Sequence, residues 1–309
     1  MTTTSEQPEP TQPDSRLGLL AAIGAYGCWG VIALYFKTVA HVAPPEVLAH
    51  RAIWSFAFLA VVISASGQWG AVGRALRNRK ALGLLALSTL VIAINWLAYI
   101  YAVSSSQLLE ASLGYFINPL VNVLLGVAVL GERLRPYQRL SIALALIGVG
   151  ISAVMLGRLP WLALLLAISF SLYGLLRKTM PVAGLVGLTI ETLLLTPLAL
   201  IYLAWLRHNG AITGEGGPTL GLLALSGLVT SIPLLLFVAG ARRLRLSTLG
   251  IVQYLSPSLQ FSVAVAVFHE PLAMSRLASF AFIWAAVAIY AADSLRAHRQ
   301  RDYELLEPD

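Results

Sequence analysis

Charge is what this sequence has least of. Asp, Glu, Lys and Arg make up 11% of its 309 residues, against about 25% in a typical soluble domain, and the mean hydropathy is +0.79. A large soluble core is excluded. Cysteine occurs once, as Cys28 inside an apolar run, so no internal disulfide can form and the thiol says nothing about redox compartment. No glycine-rich loop ends in Lys-Ser or Lys-Thr, so ATP is not the evident energy source. HExxH and CxxC patterns are absent and the five histidines are scattered, so neither a metal site nor a cofactor is expected. The loops between apolar runs are too short to hold a catalytic domain, and an enzyme is not expected. The net charge of +7 lies in short loops rather than one extended patch, which argues against nucleic acid as a partner.

Long apolar runs are what the sequence does have. A spanning helix needs about 20 mostly apolar residues. Ten runs meet this, at 17–36, 47–66, 81–101, 109–130, 138–157, 159–177, 184–206, 218–240, 248–268 and 274–295. The predicted class is an all-α membrane protein of ten transmembrane helices embedded in the lipid bilayer. Only the stretch from Gly157 to Pro160 separates the fifth run from the sixth. Residues 1–16 are polar and read as a disordered cytoplasmic tail, lacking the basic-then-apolar order of a signal peptide; residues 296–309 read as a second cytoplasmic tail. With both termini inside, sixteen Lys and Arg residues fall in inner segments and four (Lys37, Arg158, Arg207, Arg276) in outer ones. That bias sets the orientation by the positive-inside rule.

The sequence repeats itself. Laying Pro119 over Pro257 brings Glu132 over Glu270 without a gap, Asn118 over Ser256 and Asn122 over Gln260, with 6 of 20 positions identical from Tyr115 to Leu134. These stretches are the fourth helix of each half. Five helices is an odd number, so the second half (158–295) enters from the side opposite the first (17–157), giving two inverted five-helix repeats of the kind found in secondary transporters. Pro119 and Pro257 fall near the middle of their runs. A proline there removes a backbone hydrogen bond at a cost of roughly 3 kcal/mol. Paired interruptions in corresponding helices point to a midplane binding site; static kinks that aid packing are the alternative.

Polar residues follow the same pattern. Glu110, Gly114, Asn118 and Asn122 recur every four residues, on one helix face. Gln253, Pro257 and Gln260 make a comparable stripe on the ninth run, with Tyr115 and Tyr254 beside these faces. Ser88, Asn95, Trp96 and Tyr99 lie on the third. Together Asn95, Tyr115, Asn118, Asn122, Gln253, Tyr254 and Gln260 form a candidate substrate-binding set; interhelical bridging is the competing role, since amides often link membrane helices for about 1 kcal/mol each. Among the charges, Arg51 lies inside the second run, after Glu46 and His50, and is expected to pair with Glu110 or Glu46. Glu191 lies at a similar depth in the seventh run, within reach of Arg177 or Lys178. Arg51, His50, Glu110 and Glu191 would mark a pathway, because buried charges in membranes concentrate along such paths. Glu132 and Glu270 are expected to cap helices.

Several stretches resemble a known family: "EVLAHRAIWS" (Glu46–Ser55), "INWLAYIYAV" (Ile94–Val103), "EASLGYFINPL" (Glu110–Leu120) and "YLSPSLQF" (Tyr254–Phe261). They are similar to the RarD-like branch of the drug/metabolite transporter superfamily with EamA-type repeats, over about Leu17–Leu295. "HEP" stands in the second half where the first has "GER". The resemblance implies a bacterial inner-membrane permease. The resulting expectation is a secondary transporter that moves a small organic metabolite or drug-like solute by alternating access. Proton coupling through Glu110, Glu191 and His50 and a homodimer are both compatible with the sequence. The alternative is a membrane structural or accessory protein that transports nothing.

Overall fold

A computed structural model describes residues 12–130, 134–214, 216–241, 243–244 and 252–306. Among them there is no strand. The helices are α1 (Gln12–Thr38), α2 (Pro44–Ala65), α3 (Trp69–Arg77), α4 (Arg79–Ser104), α5 (Leu108–Leu130), α6 (Pro136–Leu156), α7 (Trp161–Thr179), α8 (Gly184–His208), α9 (Gly217–Ala241), α10 (Leu255–Ser262) with a π-helical turn at Val263–Val267, and α11 (Met274–Leu306). Eight of the described helices are long and apolar enough to cross a membrane; the apolar helices Trp161–Arg177 and Leu255–Val267 are shorter. The second of these covers about 20 Å, against about 30 Å of hydrocarbon. The expected ninth run began at 248, and residues 245–251 lie outside the described residues, as does Glu132.

Local chemistry explains the boundaries. α2 opens on Pro44-Pro45, where a missing N–H costs no helical bond. The Asn78 side chain accepts from the Ala81 N–H at 3.1 Å and caps α4. α6 stops at Gly157, whose φ of +64° suits a residue without Cβ. α3 was not expected; its two glycines weaken the helical signal, yet Val72 and Ala75 are buried against Ile63 and Leu85. α1 starts at Gln12, inside the presumed tail, and α11 continues to Leu306. Neither Gly nor Pro occurs between Met274 and Leu306, so nothing ends that helix where its apolar stretch ends.

The most extensive helix pairs are α6–α11, α2–α8, α5–α7, α1–α9, α2–α9, α4–α7 and α1–α10. The core lies where α1, α4, α5 and α7 meet, around Phe36, Val103, Leu108, Leu162 and Leu166. Outside, Val61, Val154, Leu198 and Ile201 are largely exposed, the apolar surface expected of a chain solvated by lipid. α5 and α7 approach closely because a Cβ on Gly114 would sit 2.5 Å from the Ala163 carbonyl oxygen; small residues permit such contacts in membranes.

Candidate functional site

Two buried charges stand at matching places. Arg51 is the eighth residue of α2 and Glu191 the eighth of α8, each about 10 Å along its helix. Glu191 has no exposure and is fully engaged. Ser88 Oγ donates to its Oε1 at 2.6 Å, Tyr173 Oη donates to its Oε2 at 3.0 Å, and Arg177 Nη1 lies 3.8 Å away. Arg177 also donates to the Gly184 carbonyl at 3.2 Å. Its guanidinium rests against Gly187, where a Cβ would come within 2.5 Å of Cζ.

Arg51 is 6% exposed and its surroundings correct the expected pairing. Glu46 is held by the Thr213 N–H and hydroxyl and the Gly214 N–H, at 2.7–2.9 Å. Glu110 pairs with Arg158 at 3.1 Å and accepts from the Leu162 N–H. Each carboxylate had a nearer donor than Arg51: loop amides for Glu46, and for Glu110 an arginine in the turn leading into α7. Arg51 instead stacks with Trp96, 4.1 Å from Cζ to the ring centroid, and Phe36 at 5.3 Å. Nε is buried without a hydrogen-bond partner among the described residues.

An aromatic ladder joins the two centres. Phe36 meets Tyr99 at 5.9 Å, Tyr99 meets Tyr115 at 5.9 Å, Tyr115 meets Phe170 at 6.0 Å and Phe170 meets Tyr173 at 6.3 Å; Tyr173 then reaches Glu191. Successive edge and tilted contacts suit ring quadrupoles and line the helices α1, α4, α5 and α7 with packed aromatic faces between the two charges.

The amides divide. Asn95 donates to Ser169 Oγ at 2.9 Å and the Leu166 carbonyl at 3.2 Å, and Tyr115 donates to its Oδ1 at 3.5 Å. Asn118 accepts from Ser171 Oγ. Glu110, Gly114 and Asn118 therefore form the seam between α5 and α7, which accounts for their four-residue spacing. Asn122 is exposed. Gln253 and Tyr254 are half-buried in a turn before α10, and Tyr254 Oη has no hydrogen-bond partner among the described residues. Gln260 donates to the Trp29 carbonyl at 3.1 Å, while its Oε1 has no partner among the described residues. Pro119 lies within α5. Pro257 lies in the first turn of α10, where the Ser256 N–H takes the Gln253 carbonyl instead. His50 is half-buried. Glu270 accepts from the Leu108 and Leu109 N–H groups at 2.7 and 2.9 Å, so it caps α5 rather than the helix that follows it.

Residues 16–154 match the EamA-like transporter family. Protein RarD of Salmonella typhi is 46% identical over 289 residues, covering 93% of this chain and 98% of that one. An uncharacterized transporter of Vibrio cholerae is 45% identical over 93% of this chain and 96% of its own length. The chain belongs to the EamA-like transporter family, in its RarD-like branch. It is therefore a membrane permease of transporter type. A solved crystal structure, 21% identical, superposes with a TM-score of 0.58 over 91% of this chain and 98% of that one, which shows a shared fold.

Sequence reasoning missed several parts of this permease's site. Trp96 and Phe36 were not seen as the cover of Arg51, nor Ser88 and Tyr173 as donors to Glu191. The one available signal was Ser88 on the same run as Asn95. Ser171 and Thr213 gave none, because a serine or threonine in an apolar run bonds its own helix as readily as a neighbour.

Proposed function

We propose that this RarD-like permease is a secondary transporter that carries a small organic solute across the bacterial inner membrane by alternating access. In this reading ten helices form two inverted repeats, 17–157 and 158–295, with both ends cytoplasmic. The helix pairing supports it. Matching α1, α2, α4, α5 and α6 to α7, α8, α9, α10 and α11 turns α5–α7 into α10–α1, α4–α7 into α9–α1 and α2–α9 into α8–α4. The pairs α2–α8, α5–α10 and α6–α11 map onto themselves. A twofold axis relating the halves generates this pattern, and the odd number of helices per half is what would put that axis in the membrane plane.

The observation that carries transport is a set of buried polar atoms with no partner among the described residues: Ser55 Oγ, Tyr99 Oη, Thr230 Oγ1, Ser231 Oγ, Tyr254 Oη and Gln260 Oε1. Each such atom costs several kcal/mol in hydrocarbon. A purely structural bundle would satisfy them, as Asn95 and Asn118 are satisfied. A solute with its own hydrogen-bonding groups would satisfy them in transit, with Asn122 and Gln253 along the same route. Glu191 is the residue best placed for proton coupling, and flux indifferent to a pH gradient in proteoliposomes would remove it from that role. The transport test uses Ser231→Cys in a Cys28→Ser background. A membrane-impermeant maleimide should label it in both right-side-out and inverted vesicles; resistance from both sides would mean a sealed core and no carrier.

A further inference from the structure

We propose that Arg51 is the receptor for the carboxylate of a small organic monoanion, which makes the carried solute an anion; this rests on the transport reading above. A buried arginine in a membrane protein ordinarily pairs with a carboxylate or carbonyl. Here every acidic side chain the structure describes is bound elsewhere: Glu46 by Thr213 and Gly214, Glu110 by Arg158, Glu191 by Ser88, Tyr173 and Arg177, Glu270 by the start of α5 and Asp293 by Arg135 at 3.0 Å. Trp96 and Phe36 stabilise the guanidinium through cation–π contact, which does not satisfy its N–H donors. A guanidinium has five N–H donors in one plane and no acceptor, and that fork matches a carboxylate bidentately. Around it the unsatisfied groups are donors too. Tyr99 Oη and Ser55 Oγ are buried without partners among the described residues, Ser55 one turn along the same face of α2, and Tyr35 and Tyr115 lie within electrostatic reach of Arg51. Such a cluster calls for an acceptor-rich guest. One fixed positive charge balances one carboxylate, whereas a phosphate monoester near charge −2 would leave a surplus buried. Phe36, Trp96, Tyr99 and Tyr115 supply flat apolar walls for the rest of the molecule. The mirror position needs no guest, since Glu191 has its partners in the protein.

The experiment measures thermal unfolding of the full-length protein in lipid nanodiscs. The probes are acetate, 3-phenylpropanoate and indole-3-acetate, the neutral amide of each, and phenyl phosphate. The proposal expects at least one carboxylate to raise the melting temperature of the wild type saturably. Its amide and phenyl phosphate should need at least about tenfold higher concentrations, as loss of a hydrogen bond to a charged group implies. Arg51→Gln should abolish the response without lowering the melting temperature of the solute-free protein, because it removes a buried charge that has no counter-ion among the described side chains. Arg51→Lys should restore part of the response. The proposal is overturned if no carboxylate shifts the wild type, if an amide or the phosphate does as well, or if Arg51→Gln still responds. In parallel, Ser231→Cys in the Cys28→Ser background is labelled in right-side-out and inverted vesicles. Labelling from both sides with no carboxylate response means that the carrier stands and Arg51 is not its anion receptor; no labelling means that the carrier reading itself fails, and this proposal with it.

Discussion

The Arg177–Glu191 pair provides a quantitative test of how α7 and α8 are held together. At 3.8 Å, Coulomb attraction is about 4 kcal/mol with an effective dielectric near 20. That is an upper bound. The Arg177 side chain is 15% exposed and has the Gly184 and Ala183 carbonyls to turn to. Glu191 keeps the Ser88 and Tyr173 donors and can take up a proton. We expect Arg177→Met and Glu191→Gln to cost about 2 kcal/mol each, less than the 3–5 typical of broken buried pairs. The double variant should cost little more than either, giving a coupling of about 2 kcal/mol. Reversible unfolding in mixed detergent micelles, run on all four proteins, reads this directly. Coupling below about 0.5 kcal/mol, the scatter of independent sites, would make the pair incidental. Gly187→Ala reaches the same point by another route. Alanine normally favours a helix over glycine by about 1 kcal/mol, but its Cβ would displace the Arg177 guanidinium. The substitution should destabilise the wild type and be harmless in Arg177→Met; equal cost in both backgrounds would refute the geometry.

Two further outcomes follow from the same contacts. Gly114→Ala pushes a methyl group against the Ala163 backbone and should lower stability by about 1–3 kcal/mol in the same unfolding assay, with Gly150→Ala, where nothing lies within 4 Å, as the silent control. Glu270→Gln leaves one acceptor oxygen for two α5 N–H groups and removes the charge at a helix N-terminus; a loss of about 1–3 kcal/mol is expected, and an unchanged midpoint would refute the cap.

The all-helical, membrane-spanning character was readable because apolar length is a property of single segments. The partners of individual polar residues were not. The spacing of Glu110, Gly114, Asn118 and Asn122 correctly marks one helix face, but a face can meet a cavity or another helix with the same periodicity. Only the positions of Leu162, Ala163 and Ser171 across α5 show that three of the four meet α7. Arg51 failed in the other direction. Sequence reasoning sought carboxylates at the same outer end of the apolar runs, whereas Glu46 and Glu110 are taken by backbone amides and Arg158 brought in from remote loops. A charge pattern names candidates for pairing, and the fold decides which donor arrives first.

The opposite charges at the matching register of α2 and α8 have a consequence for transport. If the two helices enter from opposite faces of a core about 30 Å thick, residues about 10 Å along each lie on the order of 10 Å apart. Their mutual attraction would then be below about 2 kcal/mol at an effective dielectric near 20, too little to draw them together through the aromatic ladder. An anion released from Arg51 along that ladder would approach the Glu191 carboxylate, and like charges repel with the same magnitude. Arg177 offsets part of this, and a proton on Glu191 would remove it. Anion movement past Tyr173 would thus favour protonation of Glu191, and protonation would favour anion movement. That reciprocity is the thermodynamic form of coupling between two ligands, and in the anion-carrier proposal it would arise from charge placement.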